Sequence, residues 1–252
     1  MILSILGIIG AGGIVSAYFW ARELILSRRS LRFTGSEPLD IVVATSDVGK
    51  GGPEGDAYTR SVVSASNIEA PVIVATASGA LRQKKLVRVW LSENIRVGLE
   101  ADLVIIGGQF KNQVAARYLV FFNQMYPDHQ ITRKTNEHSC HISVGEWSYD
   151  FDLTNEGRSE NPTSDVVLVI ADNNPFTLKK RRAILCAGFT SHGSVAGVRF
   201  AFEDRRSARR NSEGRSISRF RRGSYRYLAV LMVTIVNGIP SNSSILLWKD
   251  LP

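Results

Sequence analysis

The apolar positions of the chain fall into short, nearly unbroken runs separated by glycine-rich and polar turns. Leu39–Thr45, Lys85–Leu91, Asp102–Ile106, Asp165–Ile170 and Ala183–Cys186 are such runs, rich in Val, Ile and Leu, and each predicts a strand. Tyr227–Val236 and Ser244–Trp248 predict two more near the C-terminus. Between them, Asn112–Tyr126 places Val114, Ala115, Tyr118, Leu119, Phe122 and Met125 at helical spacing, and Gly193–Glu203 reads as a second helix. Ala70–Leu81 is ambiguous, because Pro71-Val-Ile-Val-Ala-Thr76 favours strand while its neighbours favour helix. Strands without alternation are buried on both faces, as in parallel sheets covered by helices. The pattern therefore predicts an α/β domain over 39–252: a Rossmann-like, mostly parallel sheet with helices on both faces. Right-handed crossovers would set both strand–glycine–helix turns at the carboxyl edge of that sheet.

The N-terminal end has a different pattern. Met1–Ala21 contains no charged side chain, and 20 such residues in a helix span about 30 Å, the thickness of a bilayer core. Tyr18 and Trp20 sit at one end, followed by Arg22, Arg28, Arg29 and Arg32. This predicts a transmembrane helix at 1–21, a juxtamembrane linker at 22–38 and, by the positive-inside bias, a main domain in the cytoplasm. The expected location is the inner membrane, single-pass, with the N-terminus outside. A cleavable signal peptide would carry a basic stretch before its apolar core, and none is present. A core helix would have a polar face, which this segment lacks.

Composition changes the picture only once the charges are placed. The 252 residues are 44% hydrophobic and 21% charged, which excludes a collagen-like, disulfide-dense or wholly disordered chain. Lys+Arg number 31 and Asp+Glu 23, a net charge of +8. Arg205–Arg226 alone carries nine Arg against Glu213, so the rest of the chain is neutral. The Arg-rich loop at 205–222 has too few apolar residues to bury a core. Beside a membrane, Arg205, Arg206, Arg209, Arg210, Arg219, Arg221 and Arg222 would contact anionic lipid. Nucleic acid is the weaker partner, because Phe220 is the one aromatic in the run and no reading module surrounds it. Cys140 and Cys186 are too few for a disulfide framework. His138-Ser-Cys140-His141 lacks the second ligand pair a zinc site needs, so no metal is expected.

Ligands of open α/β sheets sit beyond the carboxyl ends of the strands. Gly107, Gly108, Lys111 and Asn112 follow one predicted strand and open a helix; glycines allow close backbone approach, and free amides there favour an anion. Tight turning with Asn112 as helix cap explains the same residues equally well. Gly188, Thr190, Ser191 and Gly193, with Ser194, form a second such turn and predict a hydroxyl- and amide-rich anion cradle. The Gly188-x-x-Ser191 spacing misses the nucleophile elbow by one residue, and no histidine follows His192 to complete a triad. Asp172-Asn-Asn174-Pro-Phe follows a third strand, where Asn174 could meet a ribose or base or simply form a turn. Ser46-Asp-Val-Gly-Lys-Gly-Gly lacks the Gly-Lys-Ser/Thr ending of a phosphate loop and reads as a flap.

Together, Asp102-Leu-Val-Ile-Ile-Gly-Gly-x-x-x-Asn112, Asn174-Pro-Phe, Arg182-Ala-Ile-Leu-Cys-Ala-Gly188 and Gly193-Ser-Val-Ala-Gly197 resemble a poorly characterised bacterial group of membrane-anchored Rossmann-like domains. Gln109 stands where that group has Pro, and Ser194 where it has Thr. More distantly the chain resembles LOG/SLOG-type nucleotide-binding domains, which implies a nucleotide-type ligand and a sensor or signalling role. The Pro-Gly-Gly-x-Gly-Thr-x-x-Glu motif that carries hydrolysis in that class is absent, which weighs against an enzyme. The first expectation is therefore a membrane-anchored cytoplasmic domain that binds a nucleotide or related phosphorylated ligand. A nucleoside or glycosyl hydrolase or transferase at the same site is the alternative, with Asp47, Glu54 or Asp172 as its carboxylate. An interaction domain without a small ligand is the third.

Overall fold

The computed structural model describes residues 33, 38–51, 57–77, 86–95, 98–136, 139–152, 163–202 and 226–252. Its elements are, in chain order, β1 (Leu39–Val43), β2 (Ser46–Gly51), β3 (Ala57–Val62), α1 (Ala65–Ala77), β4 (Val87–Leu91), β5 (Asp102–Ile106) and α2 (Gln113–Met125). A 3-10 turn (Pro127–His129) leads to β6 (Ile131–Thr135), β7 (Ser139–Val144), β8 (Trp147–Asp152), β9 (Ser164–Asn173), β10 (Arg182–Gly188), α3 (Ser191–Phe202), β11 (Tyr227–Val236) and β12 (Ile239–Asp250). Seven strands form one sheet in the order β12-β11-β9-β10-β5-β1-β4. The β4–β1, β1–β5 and β5–β10 pairs are parallel, whereas β10–β9, β9–β11 and β11–β12 are antiparallel. Two antiparallel units stand apart: the β2–β3 pair and the β6-β7-β8 meander.

The expected Rossmann-like, mostly parallel architecture is thus corrected. Strand dominates, half of the pairings in the main sheet are antiparallel, and three helices occur among the described residues. The runs in β1, β5, β9 and β10 are buried on both faces, whereas those in the edge strands β4 and β12 are partly exposed. Burial of both faces, however, says nothing about strand direction. Direction was set by the connections: β9 returns to β10 through a short loop rather than a helical crossover, and β11 returns to β12 across Asn237-Gly238. Both of those residues have positive φ (52° and 74°), the backbone that suits the twist of a two-residue hairpin.

The membrane placement is corrected as well. No helix among the described residues is long and apolar enough to cross a membrane. They run 12 or 13 residues, about 20 Å against a core of about 30 Å. Residues 1–21 and most of the 22–38 linker, where the anchor was expected, lie outside the described residues, as does the Arg-rich loop 205–222. The inner-membrane location therefore has no support from any described element.

The sheet separates two cores. On one face Ile41, Val43, Ile106, Cys186 and Val169 pack under α1 and α3. On the other, Val42, Ile105, Leu185 and Leu168 pack under Tyr118 and Phe122 of α2 and under Cys140 and Ile142 of the meander. Alternation along β7 puts Cys140 in that core and His141 on the other side, 2.8 Å from Asp150. Both thiols are buried and unpaired, and burial raises them above their ordinary range. The ambiguous segment is helix α1, with Pro71 inside it. Ser64 Oγ accepts the Asn67 amide at its start, and Ala70, Ile73 and Val74 are buried against the sheet. Tertiary burial here outweighs the cost of an internal proline.

Gly107 ends β5 with its amide donated to Cys186 O at 2.9 Å and with φ +105°. A Cβ there would overlap the Ala44 side chain at the end of β1. Gly107→Ala is expected to cost about 2–4 kcal/mol from backbone strain and overpacking combined. Urea unfolding of the purified chain measures it; a loss below about 0.5 kcal/mol would show that the turn is not held as described.

Candidate functional site

The carboxyl ends of β1, β5 and β10 open onto a cleft of about 270 Å³. Gly107, Gly108 and Lys111 come from the turn after β5, and Gly188, Thr190 and Ser191 from the turn after β10. Ser64 and Asn67 enter from the start of α1, and Phe110 and Phe189 supply aromatic sides. Parallel pairing of β1, β5 and β10 brings these segments to one edge, although more than 70 residues separate the two glycine turns.

Each turn is fastened by its own bonds. After β5, Ala44 N donates to Ile106 O at 2.9 Å, Thr45 N to Lys111 O at 3.2 Å, and Lys111 N to Gly108 O at 3.1 Å. The turn after β10 is held by Asp165, which is completely buried at the head of β9. Its Oδ2 accepts Thr190 N at 2.8 Å and Thr190 Oγ1 at 2.7 Å. Its Oδ1 accepts Phe189 N at 3.2 Å and Val166 N at 2.7 Å. Thr190 Oγ1 in turn accepts Gly193 N at 3.1 Å and so caps α3. Burial raises the Asp165 carboxyl above its usual range, and these four bonds offset part of that rise.

Beneath the cleft lies a second buried charge. Arg133 occupies an inward position of β6, only 4% exposed. Its guanidinium stacks 4.3 Å from the Phe189 ring and 5.9 Å from the Phe110 ring, which themselves stack at 6.5 Å. None of its three nitrogens has a hydrogen-bond partner among the described residues. Burial lowers its pKa to about 10, against the opposing pull of Asp165. Asn67 Oδ1 is likewise buried and unpartnered, and the amides of Gly108 and Ser191 have no acceptor among the described residues.

Of the residues singled out from sequence, Gly107, Gly108, Lys111, Gly188, Thr190 and Ser191 meet at this cleft. Three others do not. Asn112 is the helix cap of α2: Oδ1 accepts Val114 N and Ala115 N, and Nδ2 donates to Ile106 O at 3.0 Å. Gly193 packs on Asp165, where any Cβ would overlap the carboxylate. Asn174 lies at the opposite edge, with Nδ2 donating to Leu99 O and Ala101 O, both at 2.7 Å. Asp172 is at that edge too, accepting Tyr126 Oη at 2.9 Å and Arg226 Nε at 2.6 Å, while Arg226 also donates to Tyr126 Oη. Because β9 runs antiparallel, its first residues, not its last, reach the cleft. The expected ribose- or base-binding corner is therefore absent from the site, and nucleotide binding has no support. Asp47 and Glu54 have no described side chains. The sequence reading missed Arg133, although the Ile131-Thr-Arg133 alternation places it on the buried side of a strand. It also missed Asp165, Asn67 and the phenylalanine pair. The chain matches no protein-family model and no curated protein sequence.

Asp165→Asn would turn an amide nitrogen toward at least one of the present donors. It is expected to lower stability by about 2–4 kcal/mol, the cost of leaving buried donors unpaired. Thr190→Val, which removes one bond and the cap, should cost about 1–2 kcal/mol. Denaturant titrations of the two variants decide it, and equal, near-zero losses would contradict the described network.

Proposed function

We propose that the cleft binds a small phosphorylated ligand, with its phosphoryl group against Gly108, Lys111 and the start of α3. The observation that supports this most is the convergence of two glycine turns and two helix starts on one cleft whose described lining contains no acidic side chain. Gly108 lets a ligand approach the backbone, and its amide, like that of Ser191, is without an acceptor among the described residues. Aligned amides at a helix start carry partial positive charge and favour an anion there. Lys111 is exposed at the rim and adds a flexible point charge.

Inorganic phosphate, pyrophosphate and sugar phosphates at about 10 mM should raise the melting temperature of the full chain, since a ligand that binds only the folded state stabilises it. Lys111→Gln should reduce that rise, with affinity falling about three- to tenfold for one partly exposed charge. A melting temperature unchanged by every one of these anions overturns the reading.

A further inference from the structure

Arg133 is the least explained group in the molecule. Its guanidinium is more than nine-tenths buried, and Nε, Nη1 and Nη2 all lack a hydrogen-bond partner among the described residues. A charged group carrying five N–H donors is normally taken out of water only when those donors are satisfied. The nearby carboxylate does not satisfy them: Asp165 acts on the guanidinium through space, while its oxygens bond Val166, Phe189 and Thr190. The two phenylalanine rings offer their faces but no acceptor atom.

The surroundings of Arg133 are the floor of the cleft. Phe110, Phe189 and Gly108 all line the cleft and all border the guanidinium. A Cβ built on Gly108 would come within 2.5 Å of Nη1 and 3.1 Å of Gly188 O. At Gly108 the floor has no side chain, and the unpartnered fork lies directly behind it. Phe110, which covers the guanidinium from the side, is 46% exposed and belongs to the turn after β5.

We infer that Arg133 is the selective anion contact of this cleft: an oxyanion presenting two oxygens side by side, a phosphate monoester or a carboxylate, reaches its fork past Gly108 and Phe110. A planar guanidinium matches such a pair of oxygens in two parallel bonds, which a lysine cannot do. Binding would satisfy a charge that the free protein keeps unsatisfied, so most of the discrimination between anionic and neutral ligands falls on this one residue. The inference rests on the proposed ligand reading of the cleft and names the contact that gives it selectivity.

The test measures inorganic phosphate and acetate binding to the full chain by calorimetry, for the wild type and for Arg133→Met, Arg133→Lys and Gly108→Ala. Arg133→Met should lower affinity for the bound anion about thirtyfold or more, as expected when a buried charge loses its partner. It should not lower the melting temperature of the ligand-free protein, because the methionine removes an unpaired buried charge. Arg133→Lys keeps the charge without the fork and should also bind at least tenfold more weakly, roughly the difference between two bonds and one. Gly108→Ala would set a methyl within 2.5 Å of Nη1, so it should weaken binding by both displacing the guanidinium and closing the floor. If the wild type binds phosphate but Arg133→Met and Arg133→Lys bind it equally well, the role given to Arg133 is wrong while the cleft reading stands. A large drop in the ligand-free melting temperature of Arg133→Met, with phosphate affinity unchanged, would assign the arginine to folding alone. If the wild type binds neither anion, the cleft reading itself falls.

Discussion

Asp165 is the interaction on which the site depends. One carboxylate, removed from water at the head of β9, accepts four hydrogen bonds, and three of them come from the turn between β10 and α3. Without that acceptor, Phe189 N, Thr190 N and Thr190 Oγ1 would be buried donors with nothing to bond. The turn would then have to open to water, and the start of α3 would move with it. The requirement extends to Gly193, whose missing side chain is what lets the helix sit on the carboxylate. A pair of residues nearly 30 apart in sequence is thereby held at atomic contact, and one wall of the cleft follows from it.

The second buried charge is arranged differently. Asp165 and Arg133 lie close enough to influence each other electrostatically, yet only the carboxylate has its bonding capacity filled. If the pair served stability alone, a direct two-bond contact between them would be the expected geometry. Instead the carboxylate organises backbone and the guanidinium is left facing the underside of the glycine floor between two aromatic rings. An unfilled donor set beside a cleft is the arrangement of a site that is completed from outside. On the proposed reading, such a site trades stability of the free protein for selectivity toward what enters.

Much of the secondary structure was legible along the chain. β1, β4, β5, β9, β10 and β11 fall on the apolar runs, and α2 and α3 on the helical ones, within a few residues. The two glycine turns were legible too, because strand-then-glycine-then-helix is a local pattern. Strand direction was not. Unbroken apolar runs report burial on both faces, and an antiparallel strand at the centre of a covered sheet meets that condition as well as a parallel one. Asn237-Gly238, a local hairpin signal, marks the reversal at β11–β12 and argues for antiparallel pairing at that end of a sheet expected to be mostly parallel. The misreading of β9 had the largest consequence: with its direction reversed, Asp172 and Asn174 leave the cleft and Asp165 enters it.

Sequence alone therefore determined most strands of the main sheet, two of the helices and the two glycine corners, since those depend on periodicity and on φ preferences of residues close together in the chain. It left Asn112 open between helix cap and ligand contact, and the fold makes it the cap. Tertiary structure decided which charges are buried and against what. Arg133, Asp165, Asn67, Phe110 and Phe189 come from five separate segments, and their common position exists only after β10 pairs with β5 and the meander packs beneath α2's side of the sheet. The physical reason is that hydrogen-bond satisfaction and desolvation are properties of a place in the fold. An arginine in an alternating strand can be read as facing inward, but whether its donors find an acceptor there depends on atoms far away in the chain.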